Sequence, residues 1–204
     1  MTEAARITLV SGSTRDGSTN TALLRTMNAY APQGVTAELY GGLADLPAFI
    51  PGGDEQRDHP AVAALREQLA EADAVVFCTP EYAGTLPGSF KNLLDLTVGT
   101  GELNRKPVAW VTVAHPGRGD GAQATLATVL RYVDADVITS ACVRLPVSRD
   151  TVGPDGVVVD PAVIDGIAGI FRQILDHLDA RAECGSTESL HHVRGQVARP
   201  APDR

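Results

Sequence analysis

The 204-residue sequence has no excess of positive charge, no long apolar run and only three cysteines, and each shortage removes a class of function. Lysine and arginine number 17 against 25 aspartate and glutamate, a net charge of −8 that repels a nucleic-acid backbone or an anionic membrane surface. No stretch approaches the roughly 20 apolar residues that cross a bilayer, and residues 1–6 lack the basic and then apolar regions of a secretory signal. The expected location is therefore cytoplasmic, with neither nucleic acid nor membrane as partner. Cys78, Cys142 and Cys184 are too widely separated for a disulfide framework or a metal-ligand spacing, and Cys78 lies in the apolar run Ala74–Cys78, where burial is expected. His191 and His192 lack spaced carboxylate or cysteine partners, so no metal site is predicted. Two nucleotide signatures are also missing. The glycines after the first apolar run are not followed by Gly-Lys-Ser/Thr and do not read GxGxxG, which disfavours a triphosphate loop and a dinucleotide Rossmann site.

What remains is a chain with 44% apolar residues, enough for one α/β domain, assigned to 1–183, with a polar tail at 184–204 ending in RPAPDR. The tail is expected to fray or to contact a partner. Short apolar runs alternate with amphipathic ones. Strands are predicted at Arg6–Val10, Val35–Tyr40, Ala74–Cys78 and Val108–Val113, with an extended stretch at Asp136–Leu145. Helices are predicted at Thr19–Tyr30, Ala61–Glu71, Gly88–Thr97, Gly121–Val133 and Pro161–Leu178. The long loop Gly41–Pro60 is placed to shape the rim of a site.

Strands alternating with helices imply a parallel sheet covered on both faces, here a five-stranded doubly wound sheet of order 2-1-3-4-5. In that order the first and third strands are neighbours whose following helices lie on opposite faces, which opens a crevice at their carboxyl ends. Two unusual loops meet there. VSGSTRDGSTN drops an apolar strand into hydroxyl residues and one arginine just before a helix. Its backbone amides, the hydroxyls of Ser11, Ser13, Thr14, Ser18 and Thr19, and the Arg15 guanidinium can converge on one anion. Singly, such hydroxyls are usually helix caps; the cluster with an arginine favours a phosphate site. TPEYAGTLPG, at Thr79–Gly88, carries Pro80, Gly84, Pro87 and Gly88, whose irregular backbone can turn amides toward a flat ligand.

These residues carry a family resemblance. GSTRDGSTN at 12–20, LADLPAF at 43–49, PEYAGTLPGSFKNLLD at 80–95 and KPVAW at 106–110 resemble the NADPH-dependent FMN reductases, which have a flavodoxin-like fold. The resemblance covers about Arg6–Leu178. It implies that Ser13, Arg15, Ser18 and Asn20, beside Ser11 and Thr19, hold the FMN phosphate, and that Pro80, Glu81, Tyr82, Ala83 and Gly84 line the isoalloxazine ring. It further implies hydride transfer from NADPH or NADH to FMN and onward to a small acceptor such as a quinone or free flavin, in a homodimer or homotetramer. No catalytic acid or base is assigned, because the cofactor supplies the chemistry.

Departures from the family pattern are part of the reading. Ala83 stands where many relatives carry asparagine, which removes a possible polar contact to flavin or substrate. AHPGRGDG at 114–121 resembles the third flavin-side loop, with His115 in place of a common serine and Asp120 in place of a glycine. His115 either hydrogen-bonds the flavin or a substrate oxygen, or simply turns the chain. Gly117, in the same turn, is counted with His115 among the cofactor-binding residues that the resemblance implies. Asp120 is expected to cap the following helix. Arg118 reads as a solvated loop arginine, with an adenine-phosphate contact as the alternative. Two other classes stay open: an FMN-binding electron carrier without NAD(P)H activity, and a non-enzymatic module that has lost flavin.

Overall fold

Strand alternation builds the fold, as the computed structural model, which describes residues 4–52 and 59–194, makes plain. Strand β1 (Ala5–Ser11) sends Ile7 and Leu9 to one face and Val10 to the other. Strand β3 (Ala74–Cys78), buried along its whole length, splits Ala74, Val76 and Cys78 from Val75 and Phe77. Strand β4 (Pro107–Thr112) splits Ala109 and Val111 from Val108 and Trp110. A period of two thus feeds two separate cores.

Helices α1 (Thr19–Ala29) and α5 (Pro161–Arg194) close the first core with Leu23, Leu24, Met27, Ile167, Ile170, Phe171 and Ile174. Helices α2 (Pro60–Glu71), α3 (Gly88–Val98) and α4 (Asp120–Tyr132) close the second with Leu65, Leu69, Phe90, Leu93, Leu126 and Leu130. Phe77 and Phe90 pack there with ring centroids 5.7 Å apart and planes tilted by 59°. Each such fully buried side chain contributes about 1.5–3 kcal/mol.

The sheet is parallel throughout. Strand β2 (Val35–Tyr40) pairs with β1, β1 with β3 and β3 with β4, in registers that bring Val10 to Tyr40, Ser11 to Cys78 and Phe77 to Trp110. The order is the expected β2-β1-β3-β4-β5, and α1 and α3 lie on opposite faces, so the crevice opens between the carboxyl ends of β1 and β3.

The edge differs from a single extended stretch over Asp136–Leu145. Strand β5 (Asp136–Val137) pairs Val137 with Val108, and β6 (Val143–Arg144) pairs Val143 with Val111. The edge chain therefore uses more residues than β4 does over the same span, and the surplus folds into the short 3-10 turn Thr139–Ala141, whose Ala141 is buried. That detour sets Arg144 opposite Thr112, at the cleft end of the sheet. Helix α5 also runs on past Leu178, through the expected boundary at 183/184, to Arg194. Leu178 is the last α5 residue packed on that core among the described side chains, which is where the expected helix stops. Residues 195–204 of the expected tail and 53–58 of the long loop lie outside the described residues.

Candidate active site

The loop after β1 is tied to itself and to β3. Gly12 sits so close to the neighbouring loop that a Cβ there would come within 2.2 Å of Thr79 Oγ1. Ser11 Oγ shares a 2.8 Å hydrogen bond with Thr21 Oγ1 and accepts the Ser13 N–H at 3.2 Å, while Ser13 Oγ accepts the Arg15 N–H at 3.3 Å. These two hydroxyls shape the loop. Ser18, the extended residue before α1, makes no side-chain capping bond; its buried Oγ accepts from Asn20 Nδ2 at 3.4 Å. Cys78 Sγ donates in turn to Asn20 Oδ1 at 3.4 Å. Burial pushes the Cys78 thiol far up from its ordinary range, so it is a packing and hydrogen-bonding group rather than a thiolate.

The loop after β3 folds into a two-residue hairpin turn. Tyr82 and Thr85 exchange backbone hydrogen bonds of 3.0 and 3.1 Å around Ala83 (φ 51°) and Gly84 (φ 77°), the two positive φ values that such a turn demands. Glu81 does not stay within this loop. Its Oε2 accepts from the N–H groups of Gly121 at 2.7 Å and Ala122 at 3.1 Å, which caps helix α4 from across the cleft. The same loop touches α4 elsewhere too. Thr85 Oγ1 meets Thr125 Oγ1 at 2.9 Å, and a Cβ on Gly121 would lie 2.1 Å from the Gly84 carbonyl oxygen.

The capping role expected of Asp120 therefore belongs to Glu81. Asp120 is the first residue of α4, preceded by Gly119 at φ 85° with no side-chain cap, and its Oδ1 is held at 2.5 Å by Arg144 Nη2. Arg144 Nη1 donates to the carbonyls of Ala114 at 2.7 Å, His115 at 3.1 Å and Arg118 at 2.7 Å. One guanidinium from β6 thus fixes the whole 114–120 loop. Sequence reasoning missed it, because an arginine in an edge stretch announces itself only once its register opposite Thr112 is known.

Between these three loops lies a cleft of about 370 Å³. Arg15, Thr19 and Asn20 line it from the first loop, Thr79, Pro80 and Glu81 from the second, and His115, Arg118 and Gly119 from the third. Ser11, Ser13, Ser18, Tyr82, Ala83, Gly84 and Gly117 do not border it. Tyr82 is 52% exposed. Among the described residues, the side chains of Arg15, His115 and Arg118 have no hydrogen-bond or ion-pair partner, whereas Glu81 is engaged by α4 amides. In a chain of net charge −8 this cleft has its cations free. Lys91 and Asn92 stand apart: Lys91 pairs with Asp95 at 2.6 Å, and Asn92 ties down the Phe49 N–H at 2.7 Å and the Pro47 carbonyl at 2.9 Å.

A cleft at the carboxyl ends of β1, β3 and β4, on a parallel sheet of order 2-1-3-4-5, is the ligand crevice of a flavodoxin-like α/β protein. The comparisons narrow the class. The family model of NADPH-dependent FMN reductases matches residues 5–149, and the chain belongs to that family. It is 32% identical over 175 residues to a quinone reductase of Escherichia coli strain K12, covering 83% of this chain and 93% of that one. It is 29% identical over 164 residues to an NAD(P)H-dependent FMN reductase of Pseudomonas aeruginosa, covering 78% and 88%. Among solved structures it resembles the flavoenzyme NAD(P)H:(acceptor) oxidoreductase FerB of Paracoccus denitrificans, with a TM-score of 0.74 at 25% identity over 86% of this chain and 98% of that one.

Proposed function

We propose that this protein is an FMN-dependent NAD(P)H oxidoreductase that takes hydride from NAD(P)H and delivers electrons to a small acceptor of the quinone or flavin type. The observation that carries the proposal is the unpartnered Arg15 guanidinium beside the start of α1, in one cleft with Thr19 and Asn20. A doubly charged phosphate needs such a donor set, and Ser18 leaves the first turn of α1 without a side-chain cap. In this proposal Arg15, Thr19 and Asn20 hold the phosphate, while Ser11, Ser13 and Ser18 keep the loop in shape. Pro80 and Glu81 wall the ring on one side, with the turn Tyr82–Gly84 completing their loop away from the cleft lining, and His115 stands on the other in the loop that holds Gly117.

FMN, when bound, supplies the two-electron chemistry between nicotinamide and acceptor. The chain's own residues bind, orient and exclude water. Glu81 and Arg144 hold two flavin-side loops at fixed separation, so that a planar group finds walls already in place. His115 presents an unpartnered imidazole to the cleft and serves as a hydrogen-bonding group toward ring or acceptor oxygen. No side chain is assigned a proton transfer.

The exposed Phe49, Ile50 and Tyr82 support an assembly of two or four copies, and a reaction that consumes NAD(P)H supports the cytoplasm, where reduced pyridine nucleotide is supplied, as the location. Among the described residues no helix is long and apolar enough to cross a membrane. The test is an absorption spectrum after FMN addition and gel filtration, followed by anaerobic NADH or NADPH. Retained flavin that bleaches supports the proposal. Retained flavin that does not bleach identifies an electron carrier, and no retention with no flavin-dependent NAD(P)H oxidation leaves a non-enzymatic module.

A further inference from the structure

Ala74, Val76 and Cys78 share the core that α1 closes, and in this row of β3 only Cys78 carries a side-chain hydrogen-bond donor. It stands last in the strand, where its carbonyl accepts the Gly12 N–H at 2.9 Å and its register partner is Ser11. The residue is thus tied to the loop after β1, and it is fully buried.

The thiol reaches the second residue of α1. Sγ donates to Asn20 Oδ1 at 3.4 Å, and Asn20 Nδ2 donates to Ser18 Oγ at 3.4 Å, both of these partners being buried. An amide side chain has two ends of nearly equal shape and opposite polarity, so its partners alone decide which end faces which way. With a donor at Sγ, Oδ1 is held against β3, and the two Nδ2 hydrogens are left for Ser18 and for the cleft that Asn20 lines. An apolar side chain at position 78 would leave Oδ1 buried without a donor, and the oxygen would gain by turning away from β3 toward the cleft. There a carbonyl oxygen repels a phosphate, whereas an N–H binds one. Burial pushes the thiol pKa far up, so the S–H remains a donor throughout the physiological range.

We infer that Cys78 is a positioning residue for the FMN phosphate: its S–H fixes the Asn20 amide with the N–H end toward the phosphate cleft. The inference rests on the proposed FMN-dependent reading, in which Asn20 is a phosphate ligand, and adds to it a buried residue that touches no ligand itself. The same bond gives the chain Cys78–Asn20–Ser18 one direction, each donor pointing away from β3 toward the start of α1.

The test titrates the full-length protein with FMN and with riboflavin, which lacks the phosphate, and follows flavin fluorescence. The ratio of the two affinities isolates the phosphate, because damage to packing weakens both flavins alike. Cys78→Ala and Cys78→Val remove the donor while changing side-chain volume in opposite directions, and each is expected to lower the preference for FMN over riboflavin by about three- to tenfold. Cys78→Ser keeps a donor and should hold that preference within about twofold of wild type. In an Asn20→Ala background the change Cys78→Ala should lower it no further, since the amide it positions is gone. A preference unmoved in Cys78→Ala or in Cys78→Val, or a Cys78→Ser protein that falls as far as Cys78→Ala, overturns the inference; where one apolar variant does not fold, the other decides. Wild type that binds neither flavin, or FMN no more tightly than riboflavin, overturns the FMN reading itself, so the two failures are distinguishable.

Discussion

The two ends of the sheet treat their cations differently. At the carboxyl end, Arg15 and Arg118 line a cleft and have no side-chain partner among the described residues. At the amino end, a cleft of about 510 Å³ is lined by Arg105, Lys106 and Arg181, of which Lys106 and Arg181 are engaged. Lys106 Nζ donates to the carbonyls of Ala70, at 3.2 Å, and Ala72, closing the C-terminal end of α2. Arg181 pairs with Asp136 and donates to the Arg105 carbonyl at 3.0 Å, while His177 Nε2 meets the same carboxylate at 2.8 Å. The amino-end cleft is larger, so volume does not pick out the functional site. A free cation beside a helix N-terminus, Arg15 at the start of α1, does.

That contrast can be broken most forcefully at the contact between the loop after β3 and the start of α4. Gly121→Ala forces a Cβ into the Gly84 carbonyl, a backbone atom that moves only if the loop moves. Overpacking of this kind costs about 1–3 kcal/mol, and the upper end is expected here. Denaturant unfolding should show the loss, and a fluorescence titration should show weakened FMN binding with it. If stability falls while FMN affinity holds, the loop separation does not matter to the site.

The sharpest comparison pairs Arg15→Ala with Arg181→Ala. Loss of a charge-assisted hydrogen bond to phosphate, about 1.5–3 kcal/mol, raises the FMN dissociation constant roughly tenfold to a hundredfold in Arg15→Ala, with little change in Tm. Arg181→Ala should do the reverse, lowering Tm slightly and leaving FMN affinity alone, because its partners are internal. An Arg15→Ala protein with unchanged FMN affinity removes the basis for reading free charge as function.

The amino end also carries its own pH signature. Burial alone would raise the Asp136 pKa, but the hydrogen bonds and charges of His177 and Arg181 outweigh it and hold the carboxyl below its usual value. A carboxylate with a lowered folded pKa contributes stability that is full above the unfolded value, about 3.9, and is lost as pH falls through the folded value. The urea midpoint should therefore drop as pH falls from 5 toward 3, and Asp136→Asn should flatten part of that drop. A slope identical in the two proteins would remove Asp136 from the acid response.

Much of this was legible in the sequence, for a physical reason. Strand order, the two loops at the crevice and the burial of Cys78 follow from local patterns: a period of two, a hydroxyl cluster before a helix, an apolar run. The hidden features are those whose partners are remote. Glu81 reaches forty residues ahead to cap α4, and Arg144 reaches back to a loop whose position depends on an edge-strand detour. The division of labour in the first loop was hidden as well, since Ser11 and Ser13 read as anion ligands until their hydroxyls are seen serving loop amides. The length of α5 escaped because, among the described side chains, packing on the core stops at Leu178 while the backbone continues.

Ala83 yields the smallest expected effect and the clearest correction of cause. Its departure from the asparagine common among relatives suggests, on sequence alone, a lost polar contact to flavin or substrate. In the structure Ala83 occupies the first left-handed position of the hairpin turn, at φ 51°, and does not border the cleft. A left-handed conformation costs an ordinary L-residue about 1–2 kcal/mol, and asparagine is the side chain that tolerates it best after glycine. Ala83→Asn should therefore stabilise the protein by about 0.5–1 kcal/mol and raise Tm by about 1–3 °C, with FMN affinity unchanged. Tighter FMN binding without a rise in Tm would return the residue to the ligand, and would mean that the turn of the β3 loop reaches further into the site than the cleft between Arg15 and Arg118 indicates.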